Sequence, residues 1–197
     1  MTGRSTAGEE EGSACAAIVM RLPSTRSRHL VERARRGDGG ALEELYLEHF
    51  DRIFSYLQLN AGNRQDAEDL TMKTFIRMIE SISRFEWREI PLSAWLFRIA
   101  HNALTDHQRT RFRLQFHEEP PEPRGRTQPT ADEEAMASLS RRSMLRMIDR
   151  LPSDQKQVLT LKFLFDFSNV EAASILGKTE GAVKSLQHRA LTTLRAT

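Results

Sequence analysis

The sequence predicts an all-α protein made of two small helical domains joined by a flexible linker. Apolar residues recur every three or four positions over residues 24–112 and again over residues 139–197, which is the spacing of helices that bury one face. Between these blocks, residues 113–138 contain four prolines and few apolar side chains, a composition typical of a linker. No stretch alternates apolar and polar residues as a half-buried strand would.

Residues 1–23 mix small, polar and acidic side chains without helical periodicity, so we expect a disordered N-terminal tail. The longest apolar run there follows acidic residues, whereas a secretory signal would begin with basic ones. No apolar run in the sequence approaches the ~20 residues of a membrane span. The single cysteine, Cys15, excludes an internal disulfide. We therefore expect a cytoplasmic protein with no membrane insertion.

Three apolar stripes predict the helices of the first domain, residues 24–112. The first stripe lies within residues 42–57 and follows a turn that contains two glycines. The second runs over residues 64–83, and the third follows a proline and covers residues 92–104. Helices of this kind can bury one another's stripes in a compact bundle.

The second domain, residues 139–197, predicts a short helix, a turn and a longer helix. Ser168 stands three residues before Glu171, the spacing of a capping box at a helix start. Gly177 can end that helix with a left-handed backbone, and the longer helix begins near Thr179. This order is that of a helix-turn-helix, although a plain helical hairpin has the same periodicity.

Charge is distributed unevenly along the chain, although the formal net charge is only +2. Residues 139–197 contain ten basic and five acidic residues, whereas residues 113–138 contain three basic and six acidic ones. A basic C-terminal block after an acidic tether suits a unit that binds nucleic acid.

The residues favour a binding protein and not an enzyme. The sequence has no glycine-rich phosphate-binding motif. His101 and His107 are six positions apart, which places them on different faces of a helix. The acidic residues near Asp66 are more typical of a favourable helix start than of an acid and base pair. We expect no catalytic residues, no cofactor and no metal.

Two surfaces of the first domain are candidates for binding. On the third helix the predicted outward face is rich in aromatic, amide and basic groups: Phe97, His101, Asn102, Thr105, Gln108, Arg109 and Phe112. Such a face suits single-stranded bases and phosphates, although an ordinary solvated face has the same spacing. Phe85 and Trp87 lie in the preceding loop, where they either face the same ligand or anchor the loop in the core.

The second helix has an outward stripe of a different kind: Asp69, Met72, Lys73, Ile76 and Glu80. The exposure of two apolar side chains among charges indicates a partner surface, although isolated exposed apolar residues are common. The final helix presents Lys184, Ser185, Gln187, His188 and Arg189 opposite its apolar side, with Lys178 and Arg195 near its ends. This face is either solvated or reads a major groove, and the local positive charge favours DNA.

Three segments resemble motifs of the extracytoplasmic-function sigma factors, a group of the sigma-70 family. DAEDLTMKTFIR, residues 66–77, is similar to the core of their region two. WLFRIAHNALTDHQRTRFR, residues 95–113, resembles the helix that follows it, and residues 151–195 resemble region four. The segments occur in the family's order. Met72 and Lys73 depart from the family's usual glutamine and acid.

The resemblance implies a sigma factor that binds core RNA polymerase and directs promoter-specific initiation by recognising the minus-ten and minus-thirty-five elements and aiding DNA melting. It implies polymerase contacts to the beta-prime coiled coil and the beta flap. The polymerase-binding residues would include Asp66, Asp69, Leu70, Met72, Lys73 and Ile76. The minus-ten residues would be Phe85, Trp87, Phe97, Asn102, Asp106, Arg109 and Arg111. The minus-thirty-five residues would be Lys178, Lys184, Ser185, Gln187, His188 and Arg189.

The same resemblance implies an anti-sigma factor as a further partner. Because no long extension follows the region-four segment in this sequence, we expect no extra regulatory domain there. In the family a glycine-led turn usually precedes the cap at Ser168, where this chain has Asp166 and Phe167. Asp tolerates a left-handed backbone, so we expect the turn to persist. Two other functions remain open: a one-component regulator that binds duplex operator DNA alone, and a helical adaptor protein without a nucleic-acid role.

Overall fold

The computed structural model describes residues 25–87, 90–115 and 145–195, and every regular element within these ranges is helical. The predicted N-terminal tail and nearly all of the predicted linker lie outside the described residues. The helices are α1 (Thr25–Arg35), α2 (Gly39–Ala61), α3 (Arg64–Ser81), α4 (Leu92–Gln115), α5 (145–149), α6 (Ser153–Leu159), α7 (Asn169–Leu176) and α8 (Glu180–Arg195). No described helix is both long and apolar enough to cross a membrane.

Side-chain caps explain where α2 and α3 begin in the first half of the structure, residues 25–115. Asp38 precedes α2 and accepts a hydrogen bond from the Ala41 amide at 3.1 Å. Asn63 precedes α3 and accepts one from the Asp66 amide at 2.8 Å. Each cap satisfies an amide that has no partner within its helix. Helix α3 ends two residues earlier than predicted, because the chain tightens into a 3₁₀ turn over Ile82–Arg84.

Helix α1 is an element that the apolar stripes did not define. It is held by the buried side chains of Leu30, Val31 and Ala34, which is a short apolar face for an 11-residue helix. It packs against α2 and against the 3₁₀ turn. Its remaining side chains are largely basic, so α1 contributes charge to the surface of the first half.

The second half of the structure, residues 145–195, has the predicted short helix, turn and longer helix. Ser168 and Glu171 form the predicted capping box at the start of α7, with 2.7 Å between the Ser168 amide and the Glu171 carboxylate. Gly177 ends α7 at a φ of +62°, as predicted from its tolerance of positive φ. A π-helical turn over Thr160–Leu164 follows α6, and Asp166 adopts the expected left-handed backbone with a φ of +57°.

The two halves pack on each other through an aromatic junction, which we define as Tyr56, Phe97, Phe165 and Phe167. The Phe97 ring lies 5.0 Å from Phe165 and 4.8 Å from Phe167 between ring centroids. Arg52 donates a hydrogen bond to the Phe165 carbonyl at 2.8 Å. The core of the first half therefore continues into the second half in this structure. The division into two domains stays a prediction.

Candidate functional site

Helix α3 carries an exposed apolar stripe bordered by charges. Met72 is 61% exposed and Ile76 48% exposed, while Asp69 and Lys73 are also on the surface. Ile79, 53% exposed, extends the stripe by one turn. Ile79 is absent from the predicted stripe, although its spacing of three from Ile76 is the signal that identifies it. Apolar side chains clustered in this way indicate a surface that another macromolecule covers.

Two residues predicted to bind the polymerase lie elsewhere. Leu70 is 1% exposed, so its assignment to a contact surface is wrong in this structure: the side chain faces the bundle core because it shares the inner face of α3 with other buried residues. Asp66 is partly buried and engaged within the chain. It accepts hydrogen bonds from Asn63 at 2.6 Å and from Arg111 at 3.1 Å. Asp66 thereby ties the start of α3 to α4.

The polar face of α4 is exposed at four of the residues predicted to read DNA, namely Asn102, Asp106, Arg109 and Arg111. The Arg109 Nη1 atom lies 3.8 Å from the Asp106 Oδ1 atom, a long ion pair within the same helix. A groove of 590 Å³ runs between α3 and α4, lined by Lys73, Ile76, Arg77, Glu80, Ile99, Asn102, Ala103 and Asp106. The groove therefore connects the candidate partner stripe on α3 with the candidate base-reading face on α4.

Phe97 was predicted to lie on the exposed face of α4, and this placement is wrong in the structure. The ring is 1% exposed, because Phe165 and Phe167 of the second half cover it and Tyr56 packs on it from the first half. The guanidinium of Arg52 stands 5.7 Å from the centroid of the Phe97 ring, within the range of a cation–π contact. Phe97 can reach DNA only if the two halves separate.

The loop between α3 and α4 divides its two aromatic residues between core and surface. Phe85 is buried against Trp95, with 5.0 Å between ring centroids, so it anchors the loop, as the alternative interpretation held. Trp87 is half-buried and packs edge-on to Phe85. Its indole nitrogen is buried without a hydrogen-bond partner among the described residues. Of the two rings, Trp87 is the one that a ligand could reach.

Helix α8 presents the predicted polar face. Ser185, His188 and Arg189 are exposed, and Gln187 is half-buried. Lys184 is exposed and pairs with Glu180 one turn earlier at 2.7 Å. This face is compatible with hydrogen bonding to base edges in a major groove.

Lys178, predicted to contact DNA, is half-buried and forms an ion pair with Asp154 of α6 at 3.0 Å. This contact fixes the turn before α8 to the rest of the second half. The buried side chains Val183, Leu186 and Ala190 hold the inner face of the same helix. These contacts fix the orientation of α8 and of its outward face.

His101 lies where the two halves meet. Its Nδ1 is 3.2 Å from the Tyr56 hydroxyl. Burial lowers the pKa of His101 below its usual 6.5, and Lys178 acts in the same direction while Asp154 opposes it. Complete burial raises the pKa of the Tyr56 hydroxyl, because here the charged form is the deprotonated one. The neutral forms of both groups are thus favoured in the packed structure.

The described residues contain no cluster of histidine, cysteine and carboxylate side chains suited to a metal ion. What they present is a partly apolar stripe on α3, a polar face on α4 and a polar, basic face on α8. The chemistry available at these surfaces is hydrogen bonding, ion pairing and apolar contact.

Comparison with known proteins supports a family assignment. The family described as Sigma-70 region 2 matches residues 45–113, and the family described as Sigma-70, region 4 matches residues 141–194. The ECF RNA polymerase sigma factor BldN of Streptomyces coelicolor is 36% identical over 87% of this chain. The ECF RNA polymerase sigma factor SigE of Mycolicibacterium smegmatis is 31% identical over 81% of it. The matches span 65% and 63% of the length of these two relatives.

Among solved structures, the sigma factor RpoE from Bartonella quintana, determined in complex with the anti-sigma factor NepR, has the same fold. The TM-score is 0.66 at 23% identity, and the match covers 78% of this chain and 94% of that one. Both family matches fall on the predicted helical blocks, in the order that the resemblance of the motifs required. The chain therefore belongs to the sigma-70 family, in its group of ECF RNA polymerase sigma factors.

Proposed function

We propose that this protein is a promoter-specific transcription initiation factor that binds core RNA polymerase, recognises the minus-ten and minus-thirty-five elements and aids DNA melting. The observation that carries the proposal is the presence, on one chain, of two exposed polar helix faces on separate halves, on α4 and α8, with an apolar partner stripe beside the first. One DNA-reading face would suffice for an operator-binding regulator. Two faces and a partner stripe suit a subunit that must span two promoter elements while it is attached to the polymerase.

In this proposal the stripe on α3 docks on the beta-prime coiled coil. Its exposed apolar residues, Met72, Ile76 and Ile79, supply the contact area, and Asp69 and Lys73 supply charges at its border. The second half docks on the beta flap. Apolar groups at the centre of an interface with charges at its rim are the usual composition of protein contacts.

The face of α4 and the loop before it take the minus-ten element. Asn102 and Asp106 line the groove beside α3, and Trp87 offers the accessible ring on which an unstacked base can stack. Helix α8 enters the major groove of the minus-thirty-five element, where Arg189 and His188 donate to base edges. Asp66 acts by positioning Arg111 and not by touching the polymerase.

The aromatic junction gives this function an inactive arrangement. With Phe97 covered by Phe165 and Phe167, the two DNA-reading faces are held at one spacing, and opening the junction frees the halves to reach two separated elements. An anti-sigma factor that holds the halves together would keep the chain off the promoter. No catalytic step belongs to this chain.

The experiment that tests the proposal is run-off transcription with purified chain and core polymerase. Initiation at new, defined start sites is expected only when both are present. A chain that binds duplex operator DNA alone and leaves start sites unchanged would instead be a one-component regulator. A chain that binds neither DNA nor core polymerase would be an adaptor.

A further inference from the structure

Helix α1 is strongly basic, and the described residues neutralise only part of that charge. Three of its arginines form ion pairs: Arg26 with Glu44 at 2.9 Å, Arg33 with Asp38 at 2.7 Å and Arg35 with Glu32 at 2.8 Å. Three other exposed arginines in this region form no ion pair with another described residue. They are Arg28 on α1, Arg36 directly after it and Arg84 in the 3₁₀ turn, and we call them the arginine strip.

The strip lies beside the loop that carries Trp87. Arg35 donates to the carbonyl of Ser83 at 3.4 Å, which brings the neighbours Arg36 and Arg84 to the same end of α1. At the other end, the Arg28 guanidinium stands 6.0 Å from the centroid of the Trp87 ring. The burial of Leu30, Val31 and Ala34 fixes which side of α1 faces inward. The fold thus holds the strip beside the loop. None of its three arginines forms an ion pair with another described residue.

The dimensions suit a nucleic-acid backbone. Arg28 and Arg36 are eight residues apart, about 12 Å along a helix at 1.5 Å per residue. The phosphates of one DNA strand follow one another about every 3.4 Å along the axis of a duplex, so this distance spans about three such steps. Arginine binds phosphate bidentately with charge-assisted hydrogen bonds. Acidic groups in the neighbourhood are Glu32 and Asp38, which are already paired, and Glu86 of the loop, which also has a partner.

We propose that the arginine strip is a phosphate-binding surface for single-stranded DNA, which holds the backbone next to the base that stacks on Trp87. This inference rests on the proposed function and adds to it a contact from α1, outside every residue set assigned to DNA above. The strip supplies sequence-independent affinity and keeps the melted strand in place, while α4 reads the bases.

The test compares two double variants in complex with core polymerase. Arg36→Ala/Arg84→Ala removes two strip charges and leaves Trp87 and its contacts untouched. Arg26→Ala/Arg150→Ala is the matched control, since it removes two exposed arginines elsewhere, one of them on α1 itself. Binding is measured to a forked promoter template with a single-stranded downstream arm and to a fully duplex template, each over a range of salt concentrations.

The strip variant is expected to bind the forked template about tenfold more weakly. Its salt dependence should be shallower by about 0.7 for each phosphate that it no longer binds. Its affinity for core polymerase and for the duplex template, and the behaviour of the control, should match wild type. An unchanged salt slope overturns the proposal, and so does an equal decrease on duplex DNA. Weaker binding to core polymerase would overturn it as well, by assigning the strip to an acidic protein surface.

Failure of the proposed function itself gives a different result. In that case the wild-type chain with core polymerase would show no preference for promoter DNA, and both double variants would be indistinguishable from it. A specific wild-type complex with an unaffected strip variant refutes only the assignment of the strip.

Discussion

Helices α3 and α8 are built alike on the inside and differ on the outside. Each buries one apolar face, with Leu70 and Phe75 in α3 and Val183 and Leu186 in α8. On the outside α3 exposes a stripe of Met72, Ile76 and Ile79, whereas α8 exposes hydroxyl, imidazole and guanidinium groups. Apolar groups gain from burial against another protein, while polar groups with fixed geometry discriminate between base edges. The outer face therefore identifies the kind of partner, and the inner face only the fold.

The largest expected effect comes from placing a charge in the α3 stripe. Ile76→Asp should weaken binding to core polymerase by about 30-fold or more, because a carboxylate would be buried in the centre of the contact. The measurement is competition against wild type for labelled core polymerase. Leu47→Asp, which alters an apolar residue on α2 that is even more exposed than Ile76, is the control and should bind normally. Equal weakening in both variants would mean that the α3 stripe is not the docking surface.

Arg189→Ala should have the next largest effect. It should weaken binding to a minus-thirty-five duplex about tenfold, within the range for one good contact to a base edge, and leave the affinity for core polymerase unchanged. Arg150→Ala is the matched control, since it removes an exposed arginine of the same half that lies outside α8. A parallel decrease of polymerase binding in Arg189→Ala would contradict the contrast between the two helices.

Arg52→Gln tests the junction that joins the regions. It should remove the hydrogen bond to the Phe165 carbonyl and the cation–π contacts with Phe97 and Phe167, weakening the packing of the halves by about 1–2 kcal/mol. The measurement is energy transfer between dyes on Gln58→Cys and Thr192→Cys in a Cys15→Ser background.

A lower transfer efficiency is expected for Arg52→Gln. Arg64→Gln is its control, because that arginine also makes a cation–π contact and donates a hydrogen bond, in its case to the Glu68 carboxylate, but within the first half. If the two variants give the same efficiency, Arg52 does not hold the junction.

The smallest expected effect is a pH dependence of the same distance. Because the pKa of His101 is lowered in the packed structure, the separated halves bind more protons than the packed ones below about pH 6.5. The contribution of neutral His101 to packing is therefore complete above that pH and is lost as the pH falls through the lowered value. Energy transfer should decrease on acidification in wild type and change less in His101→Gln. An identical acid response in the two proteins would exclude His101 as its origin.

Local signals in the sequence predicted the helix ends well. The capping box at Ser168, the left-handed Gly177 and the left-handed Asp166 all follow from properties of single residues or of pairs three apart. The candidate faces of α3 and α8 follow equally from helical spacing. These features depend on neighbours within one or two turns, which a sequence displays directly.

The features that the sequence did not predict depend on distant contacts. Helix α4 is covered on a second side by the other half, so a single amphipathic stripe could not indicate that Phe97 is buried. Its covering residues, Phe165 and Phe167, stand about seventy positions later in the chain. Helix α1 has too short an apolar face to stand out as a stripe, and its position depends on packing against α2 and the 3₁₀ turn.

The left-handed backbone at Asp166 limits which amino acids can occupy this position. Phe165 and Phe167 flank that one residue, so a change of its φ from +57° would re-aim both rings together. Glycine, asparagine and aspartate tolerate the angle, whereas valine, isoleucine and threonine resist it. A library randomised at this codon and selected for intact packing of the two halves should return only that small set of residues. Substitutions at this position would therefore change how stably the halves pack and leave the proposed binding surfaces unaltered.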